Sequence, residues 1–519
     1  MRMSDRRRFL QALAALGVSQ SLPVRATDRK VSFDSYPFTL GVASGYPTPD
    51  GFVLWTRLAP KPLEPGGGLA PEPVPVIWEV AADERFARVV ASRAEFPTHN
   101  WAHCVHTEVT GLAPDRWYFY RFRAGDAVSP TGRTRTAPAP GTNPGRMRFA
   151  FASCQHYEQG YYTSYRHMVA DDLDLVVFLG DYIYESSLRR NQVRMHERAD
   201  EPVTIDEYRA RYALYKVDKD LQSAHQAYPW LATWDDHEVD NDYAGDRQED
   251  GAPPEEFLLR RAAAYRAYYE HMPLPARMRP SGPAMQIYST WAWGSLADIH
   301  LLDGRQYRSP HACPRKAGGG NEVDPRECAD LHGTSRTMLG AVQEAWIDRQ
   351  FADSHAAWNI IAQPVLMAQR KSGLPEKNTV WTDSWDGYPA ARRRLLDSVV
   401  SRRPSNPVVI SGDIHMHFVA DLKLDFDDTR SAVVASEFVG TAITSPPGGW
   451  VKNLPAVLAE NPHLKYGRGD RRGYVRAGIS GKHLTAEMIG VETVKKPDSR
   501  AEVLARYVVE DGKPGPQKG

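Results

Sequence analysis

The sequence predicts an all-β domain followed by a larger α/β domain. Between residues 36 and 137, short runs of β-prone residues alternate with turn residues, which is typical of a β-sandwich. A Pro/Gly-rich connector at residues 137–145 marks a domain boundary. Beyond it, apolar strand-like runs alternate with amphipathic helix-like segments, and this alternation indicates an α/β domain.

Composition and charge restrict the classes of function. The chain has 519 residues, 42% of them hydrophobic and 25% charged, as in an ordinary globular protein. Its 64 Lys and Arg residues equal its 64 Asp and Glu residues. This balance argues against nucleic-acid binding, which depends on the neutralisation of phosphates. No apolar stretch has the length that a bilayer requires, so we expect no transmembrane segment.

The amino terminus has the features of an export signal. Residues 6–11, Arg-Arg-Arg-Phe-Leu-Gln, resemble a twin-arginine motif, and a short, weakly apolar stretch follows up to residue 18. Val24-Arg25-Ala26 offers a small-x-small cleavage site. We therefore expect residues 1–26 to be a twin-arginine signal peptide, and the protein to be periplasmic or secreted through the twin-arginine export machinery. A disordered basic tail is the alternative.

The predicted sandwich covers residues 36–137. Its strand candidates lie at residues 52–55, 74–80, 105–109 and 117–122. Residues 111–120 resemble the tyrosine corner of fibronectin type III-like sandwiches. A nearby cluster of three histidines and Cys104 is expected to be structural, because adjacent residues of a strand face opposite ways and the side chains do not converge.

The α/β domain is expected to cover residues 146–490. Its strand candidates lie at residues 147–152, 173–179, 231–234, 295–302, 358–361 and 408–411. Its helix candidates lie at residues 161–170, 206–215, 255–271, 343–354 and 390–400. The pattern becomes β-like again at residues 431–439 and 474–487. Residues 491–519 form a C-terminal extension, whose Pro/Gly/Lys tail is expected to be disordered.

Four of these strands end in side chains that can bind metals. Residues 153–156 read Ser-Cys-Gln-His, and residues 180–184 read Gly-Asp-Tyr-Ile-Tyr. The third strand leads into Trp-Asp-Asp-His-Glu at 234–238, and the last into Gly-Asp-Ile-His-Met-His at 412–417. Because ligands bind at the carboxyl ends of strands in open α/β sheets, we expect these side chains to converge.

The chemistry of these side chains predicts bound cations. Thiolate, phenolate and carboxylate groups would place several negative charges in one pocket, and each unpaired charge costs several kcal/mol in a partly dry site. Such a pocket needs multivalent cations or protonation. Thiolate, phenolate and imidazole ligands suit a transition ion such as ferric iron, whereas carboxylates suit a harder ion such as calcium or magnesium.

The order of the four motifs resembles the metallophosphatase superfamily of calcineurin-like and purple acid phosphatases. Ser-Cys-Gln, Gly-Asp-Tyr-Ile-Tyr-Glu, Trp-Asp-Asp-His-Glu-Val and Ser-Gly-Asp-Ile-His look like its PhoD-like alkaline phosphatase and phosphodiesterase branch. Residues 41–57, 302–308 and 437–441 also look like that branch. The resemblance extends over residues 36–490. It implies an α/β (α+β sandwich) metallophosphatase-like catalytic domain behind a β-sandwich of the PhoD N-terminal type, with iron and calcium as cofactors.

The resemblance also implies a role for each ligand. Asp181 would bridge two metal ions, because it is the aspartate of the Gly-Asp-x-x-Tyr motif. Cys154, Tyr184 and His415 would bind the first ion, which is ferric iron (Fe3+) in this branch. The second ion, calcium in this branch, would be bound by Asp236 and Asp413.

Two features of the implied site differ from the wider superfamily. Asp236 replaces an asparagine, and its additional charge favours a hard cation such as calcium, with magnesium or another divalent ion as alternatives. The superfamily also has a lone histidine ligand between the third and fourth motifs, and the sequence offers His300, His332 and His355 without deciding among them.

His237 takes the place of the histidine that donates a proton to the leaving group.

The predicted reaction is the hydrolysis of small-molecule phosphate esters, in which metal-activated hydroxide attacks phosphorus in line. Arg305 and Arg308 could hold the non-reacting phosphate oxygens, because a guanidinium fork matches that geometry; a strand-end salt bridge is the alternative. Two other functions remain open. One is a phospholipase-type phosphodiesterase acting on lipid head groups, and the other is a non-catalytic protein that binds phosphorylated ligands.

The cysteines allow one disulfide. Cys313 and Cys328 flank a Gly-rich polar loop that a disulfide could close, and an exported protein permits such a bond. Connectivity cannot be deduced from sequence alone, so this pairing stays open.

Overall fold

The computed structural model describes residues 32–188, 190–315, 318–373 and 378–519. The signal peptide predicted at residues 1–26 lies outside these ranges. In the part of the chain that they cover, no helix is both long enough and apolar enough to cross a bilayer.

The strands are numbered in chain order. They are β1 (Val42–Thr48), β2 (Gly51–Arg57), β3 (Val76–Ala81), β4 (Val89–Glu95), β5 (Cys104–Val109), β6 (Trp117–Ala124), β7 (Ala127–Val128), β8 (Gly132–Arg135), β9 (Arg146–Ala152), β10 (Leu175–Leu179), β11 (Pro229–Thr233), β12 (Ser289–Trp293), β13 (Ala297–Leu301), β14 (Glu322–Val323), β15 (Trp358–Ala362), β16 (Val380–Trp381), β17 (Pro407–Ser411), β18 (His417–Lys423), β19 (Val433–Val439), β20 (Leu464–Arg468), β21 (Arg472–Ser480), β22 (His483–Val491), β23 (Ala501–Glu510) and β24 (Lys513–Lys518).

The helices are numbered in the same way. They are α1 (Thr163–Ala170), α2 (Ile205–Lys216), α3 (Lys219–Ala227), α4 (Pro254–His271), α5 (Gly340–Asp353), α6 (Pro389–Arg402) and α7 (Leu454–Glu460). The five predicted helices all form, within a few residues of their predicted bounds, while α3 and α7 were not predicted.

A ten-stranded mixed sheet carries three of the four strand ends. Its order is β24-β23-β22-β21-β9-β10-β11-β1-β2-β5. Strands β9, β10, β11 and β1 run parallel, and antiparallel strands extend the sheet on both sides. All five residues of β10 are buried, as a continuous apolar run in a parallel sheet requires.

A seven-stranded sheet, in the order β12-β13-β15-β17-β19-β18-β20, packs against the first. One buried cluster contains Phe149 and Val177 from the first sheet together with Ile360 and Val408 from the second. On the other face of the second sheet, helices α5 and α6 contribute to a separate buried cluster. Two mixed sheets face to face with helices outside them confirm the predicted α/β sandwich.

The N-terminal region is all-β, as predicted, and shares a sheet with the α/β region. Strands β3, β4, β6, β7 and β8 form a five-stranded sheet whose core includes Tyr120 together with Leu54 of β2. Its predicted tyrosine corner forms, because the backbone N–H of Ala113 donates to the Tyr118 hydroxyl at 3.1 Å. Strand β1 pairs in parallel with β11. Strands β1, β2 and β5 of the N-terminal region therefore form one edge of the ten-stranded sheet.

The C-terminal tail is folded, which corrects the expectation of disorder. Strands β23 and β24 complete the edge of the ten-stranded sheet. The backbone N–H of Gly515 donates to Ser436 Oγ at 3.0 Å, and Lys465 Nζ donates to the carbonyl of Pro516 at 2.9 Å. The Pro/Gly/Lys composition predicted disorder, but a neighbouring strand supplies partners for the backbone.

Cys313 and Cys328 form a disulfide, so the pairing that the sequence left open is present. The thiols of Cys104 and Cys154 are free and buried. In the cluster around Cys104, His106 Nε2 lies 2.9 Å from the carbonyl oxygen of Met272, which gives this ring a backbone partner.

Candidate metal centre

The four predicted strand ends meet at one edge of the two sheets. Gly180, which follows β10, has a φ of 101°, and a Cβ atom there would lie 2.6 Å from the backbone nitrogen of Asp235. A Cβ atom on Gly412, which follows β17, would lie 2.2 Å from Ser153 Oγ. Glycine at these two positions therefore allows the strand ends to touch, and the side chains that follow them converge.

Four of the predicted ligands have a left-handed backbone. The φ angles are 60° at Cys154, 58° at Asp181, 63° at Asp413 and 59° at His415. Residues other than glycine rarely adopt this conformation, which costs about 1–3 kcal/mol at each position and is retained chiefly at functional sites. Four of the fourteen non-glycine residues with a positive φ in the described ranges are thus ligands that the motifs predict.

The side chains predicted for the first ion lie together. The ligand atoms of Cys154, Asp181 and His415 are all within 4.8 Å of one another. The Tyr184 hydroxyl donates to Asp181 Oδ2 at 2.7 Å and lies 3.2 Å from His415 Nε2. Ser445 Oγ donates to the same hydroxyl at 3.0 Å. The structure thus brings a thiol, a phenol, an imidazole and a carboxylate to one point.

Asp181 also belongs to a second group. Its carboxylate, that of Asp236 and a ring nitrogen of His237 lie within 4.8 Å of one another. The carboxylate oxygens of Asp236, Asp242 and Asp383 also lie within 4.8 Å of one another. Asp181 is therefore the residue common to the two sides of the centre, which is the position that a bridging ligand would occupy.

Asp413 lies at the margin of this arrangement. Within the described ranges it belongs to none of the groups with ligand atoms inside 4.8 Å, but it lines the same cavity as His415. Burial, followed by repulsion from the carboxylates of Asp235 and Asp383, raises its pKa well above the ordinary value. Asp413 thus experiences the repulsion of neighbouring carboxylates although it is not a member of these groups.

Asp383 is the acidic residue that the sequence analysis missed. It lies between the third and fourth motifs, in the region where the superfamily has its lone histidine ligand. Of the three candidates, His300 Nε2 lies 3.2 Å from Asn359 Oδ1 and His332 Nε2 lies 2.8 Å from the carbonyl oxygen of Pro325. None of the three histidines belongs to a candidate metal group in the described residues. The Thr-Asp-Ser sequence after the short strand β16 was the available signal.

Electrostatics favour a bound cation at Asp181. Burial is the largest cause that raises the pKa values of Cys154, Asp181 and Tyr184 well above their ordinary values. For Cys154 and Tyr184, the neighbouring charge of Asp181 raises the pKa further. Asp181 Oδ1 is buried without a hydrogen-bond partner. A set of sulfur, nitrogen and oxygen donors with an orphaned carboxylate oxygen fits a transition-metal ion.

His237 has the environment of a proton donor. Its Nδ1 lies 2.7 Å from Glu185 Oε2, and its ring stacks on that of Tyr184 with centroids 4.1 Å apart. Burial alone would lower the pKa of His237, but the charges of Glu185, Asp236 and Asp181 outweigh it and raise that pKa well above 6.5. The side chain keeps 16% of its surface exposed, so the protonated ring remains accessible.

Glu238 joins two of the loops that carry ligands. Its carboxylate accepts the backbone N–H of Tyr182 at 2.6 Å and the backbone N–H of Asp235 at 2.9 Å. Burial is the largest cause that raises the pKa of Glu238 to about 7. This carboxyl group therefore fixes the loop of Asp181 against the loop of Asp236.

Arg305 and Arg308 form salt bridges, which is the alternative that we gave to phosphate binding by these two residues. Arg305 Nη1 and Nη2 bind the Asp383 carboxylate at 2.7 and 2.8 Å, and its Nε binds Asp235 at 2.5 Å. Arg308 Nη1 lies 2.7 Å from Asp383 Oδ1. Both side chains are 0% exposed, which corrects the expectation that they hold phosphate oxygens. The carboxylate partner of these guanidinium groups could not be predicted from local sequence, because Asp383 is 78 residues from Arg305.

Comparison with known proteins gives consistent matches over the chain. The family described as PhoD-like phosphatase matches residues 149–488, and the PhoD-like phosphatase N-terminal domain matches residues 24–138. The chain is 43% identical over 528 aligned residues to alkaline phosphatase D of Bacillus subtilis strain 168, covering 99% of this chain and 89% of that protein. A solved structure of PhoD superimposes with a TM-score of 0.88 at 43% identity, covering 94% of this chain and 93% of that chain.

Proposed function

The chain belongs to the PhoD-like phosphatase family and is a phosphoric ester hydrolase, and we propose that its activity depends on two cations held on either side of Asp181. The observation that carries this proposal is the position of Asp181, which is shared by two groups of ligand atoms. A buried carboxylate with one unpartnered oxygen, placed between two such groups, is stabilised best by positive charge on both sides.

The donor chemistry differs between the two sides. Cys154, Tyr184 and His415 would hold ferric iron together with Asp181, because thiolate, phenolate and imidazole ligands suit a transition ion. On the other side, the donors are carboxylates, which suit calcium or another hard divalent ion. The residues proposed there are Asp236 and Asp413, with Asp242 and Asp383 close to Asp236. When bound, such cations act as Lewis acids, which lower the pKa of water and neutralise charge on a phosphoryl group.

His237 would act as the general acid. Its Nδ1 is engaged by Glu185, so Nε2 is the atom from which a proton can pass to the leaving oxygen. The charge of Glu185, the largest of the causes that raise the pKa of His237, favours the protonated form of the ring. General acid catalysis of this kind contributes about 10²–10⁴-fold to a rate.

We also propose export and a division into domains. Residues 1–26 would direct the folded protein to the periplasm or the exterior by the twin-arginine route. The disulfide between Cys313 and Cys328 supports an oxidising compartment, in which such bonds persist. Residues 36–137 would form the N-terminal domain and residues 146–490 the catalytic domain, with small-molecule phosphate esters as substrates.

Hydrolysis of two chromogenic esters tests the proposed function. Purified protein should release p-nitrophenol from p-nitrophenyl phosphate or bis-p-nitrophenyl phosphate, and a chelator should abolish this release until metal ions are added back. Release that persists in metal-depleted protein would refute the proposed metal dependence. The ratio of monoester to diester rates separates a monoesterase from the phosphodiesterase and phospholipase-type alternatives.

A further inference from the structure

A cavity of about 590 Å³ opens beside the candidate metal centre. Asp413 and His415 line the part that belongs to the centre, and the rest of the wall includes Arg370, Trp381 and Trp450. Cavities of this size accommodate small organic ligands, and a phosphate group alone would fill only a small part of this one. The cavity therefore has room for a substituent of the ester as well as for its phosphoryl group.

Arg370 presents an unpaired guanidinium to this cavity. Within the described ranges, no side chain or backbone group forms a hydrogen bond or ion pair with that guanidinium. Its backbone N–H donates to Asp386 Oδ2 at 2.8 Å, which fixes the start of the side chain. Arg392, not Arg370, pairs with Asp386 Oδ1 at 2.6 Å. Arg370 thus differs from Arg305 and Arg308, whose guanidinium groups are engaged by Asp383.

Two tryptophans line the cavity together with Arg370. Its guanidinium lies 4.4 Å from the ring centroid of Trp450, which holds the positive charge by a cation–π contact and keeps the donor edge free. Trp381 is in β16, whose partner β14 lies inside the loop closed by the disulfide. Both tryptophans are partly exposed, so aromatic surface faces the cavity together with the charge.

We propose that Arg370 binds a non-reacting oxygen of the phosphoryl group and that Trp381 and Trp450 accept an aromatic substituent of the ester. A guanidinium fork matches two oxygens of a phosphoryl group, and an aromatic ring stacks on tryptophan. The substrate class that fits is a phosphate ester or diester with a planar aromatic group. This inference rests on the proposed function, because the cavity adjoins the same metal centre.

Substitution of Arg370 tests the first half of the inference. Arg370→Ala should raise the KM for bis-p-nitrophenyl phosphate by about 10- to 100-fold, because charged hydrogen bonds of this kind are worth that factor. Arg370→Lys should give a smaller rise, since it keeps the charge but loses the fork. The matched control is Arg430→Ala, which removes an arginine whose side chain is 91% exposed and should leave KM unchanged.

Binding of two phosphonates tests the second half without turnover. Isothermal titration should show that the metal-loaded protein binds phenylphosphonate about 2- to 10-fold more tightly than methylphosphonate, as expected for one aromatic contact. Trp381→Leu and Trp450→Leu should remove this preference and keep the affinity for methylphosphonate. Trp346→Leu, a partly buried tryptophan outside the cavity, should keep the preference.

Failure of this inference is distinguishable from failure of the proposed function. If the wild-type protein hydrolyses esters but Arg370→Ala changes neither KM nor phosphonate affinity, the role of Arg370 is refuted and the metal-dependent reaction stands. Equal affinity of the wild-type protein for the two phosphonates would overturn the aromatic subsite. If no ester is hydrolysed with any metal ion, the proposed function itself fails.

Discussion

His237 Nδ1 and Glu185 Oε2 lie 2.7 Å apart in the candidate centre, and this contact determines which ring nitrogen can meet a substrate. Glu185 is almost fully buried, and the charge of His237 is the largest of the causes that keep the pKa of Glu185 below its usual value despite burial. A buried carboxylate held ionised beside a histidine keeps that histidine protonated. The pair therefore links a structural contact to the pH dependence of the reaction.

Glu185→Gln should weaken the general acid. The amide can still accept a hydrogen bond, but without the negative charge the pKa of His237 falls. We expect kcat to fall by about 10-fold, less than the roughly 100-fold loss or more expected for His237→Ala. The alkaline limb of the pH–kcat profile should move to lower pH. The control is Glu201→Gln, which removes a nearby carboxylate bound to Arg260. An unshifted pH–kcat profile in Glu185→Gln would contradict the role of Glu185 in keeping His237 protonated.

Cys154→Ala should remove the first metal ion and the activity together. The thiol of Cys154 is within 4.8 Å of ligand atoms of Asp181 and His415, and no other sulfur atom is in that group. Elemental analysis and the rate with p-nitrophenyl phosphate are the two measurements. Cys104→Ala removes the other buried free thiol and should retain both. A Cys154→Ala protein with full metal content and turnover would show that Cys154 is not a ligand of the first metal ion.

Arg305→Ala should destabilise the fold, because it leaves the buried carboxylate of Asp235 without its ion-pair partner and removes one of the partners of Asp383. Breaking a buried ion pair in this way costs about 3–5 kcal/mol, which urea unfolding would measure. Arg402→Ala removes a half-exposed partner of Asp348 and should cost no more than about 1 kcal/mol. Wild-type stability combined with a raised KM in Arg305→Ala would instead restore the phosphate-binding interpretation.

Lys216 should make the stability of the protein depend on pH. Burial lowers its pKa from 10.5 to about 7, and in the described ranges its Nζ lies 3.2 Å from the Tyr182 hydroxyl and over the rings of Trp55 and Tyr182, with no carboxylate as a partner. Between these two pKa values the unfolded chain binds a proton that the folded protein does not bind. The contribution of Lys216 to the free energy of unfolding therefore rises with pH across this window, and the penalty is greatest below pH 7.

Lys216→Met tests this prediction. Subtracting its free energy of unfolding from that of the wild-type protein at each pH isolates the lysine from other titrating groups. The difference should increase by several kcal/mol from about pH 7 to about pH 10. A difference that stays flat over that range would show that Lys216 remains charged in the folded protein.

Local pattern predicted most of the elements, and tertiary partners account for the rest. Helix α4 was predicted almost to the residue, because proline begins it and its sequence is rich in residues of high helix propensity such as Ala and Arg. Strand β1 was missed, since its glycine, serine and proline residues have low β-propensity; β2 and β11 supply the pairing that makes it a strand. Helix α3 was missed because it is short and polar, although Asp218 caps it.

The candidate site shows the same division. The motifs predicted the ligand types and the approach of Asp181 to Asp236, because each motif follows a parallel strand of one of the two sheets. They did not predict that the carboxylates of Asp383 and Asp236 lie in one group. They also did not predict that the Arg305 guanidinium forms salt bridges with Asp235 and Asp383. Those contacts depend on how the segments after β13 and β16 fold over the centre, and side-chain chemistry alone does not predict this folding.

The metal content of the purified protein tests the central claim most directly. We predict a full equivalent of iron per chain together with calcium or another divalent ion, loss of ester hydrolysis when both are stripped, and recovery when both are restored. Asp181→Asn should lower the content of both metals at once, because its carboxylate is shared by the two sides. Protein that holds neither ion and hydrolyses esters at the full rate would contradict the account.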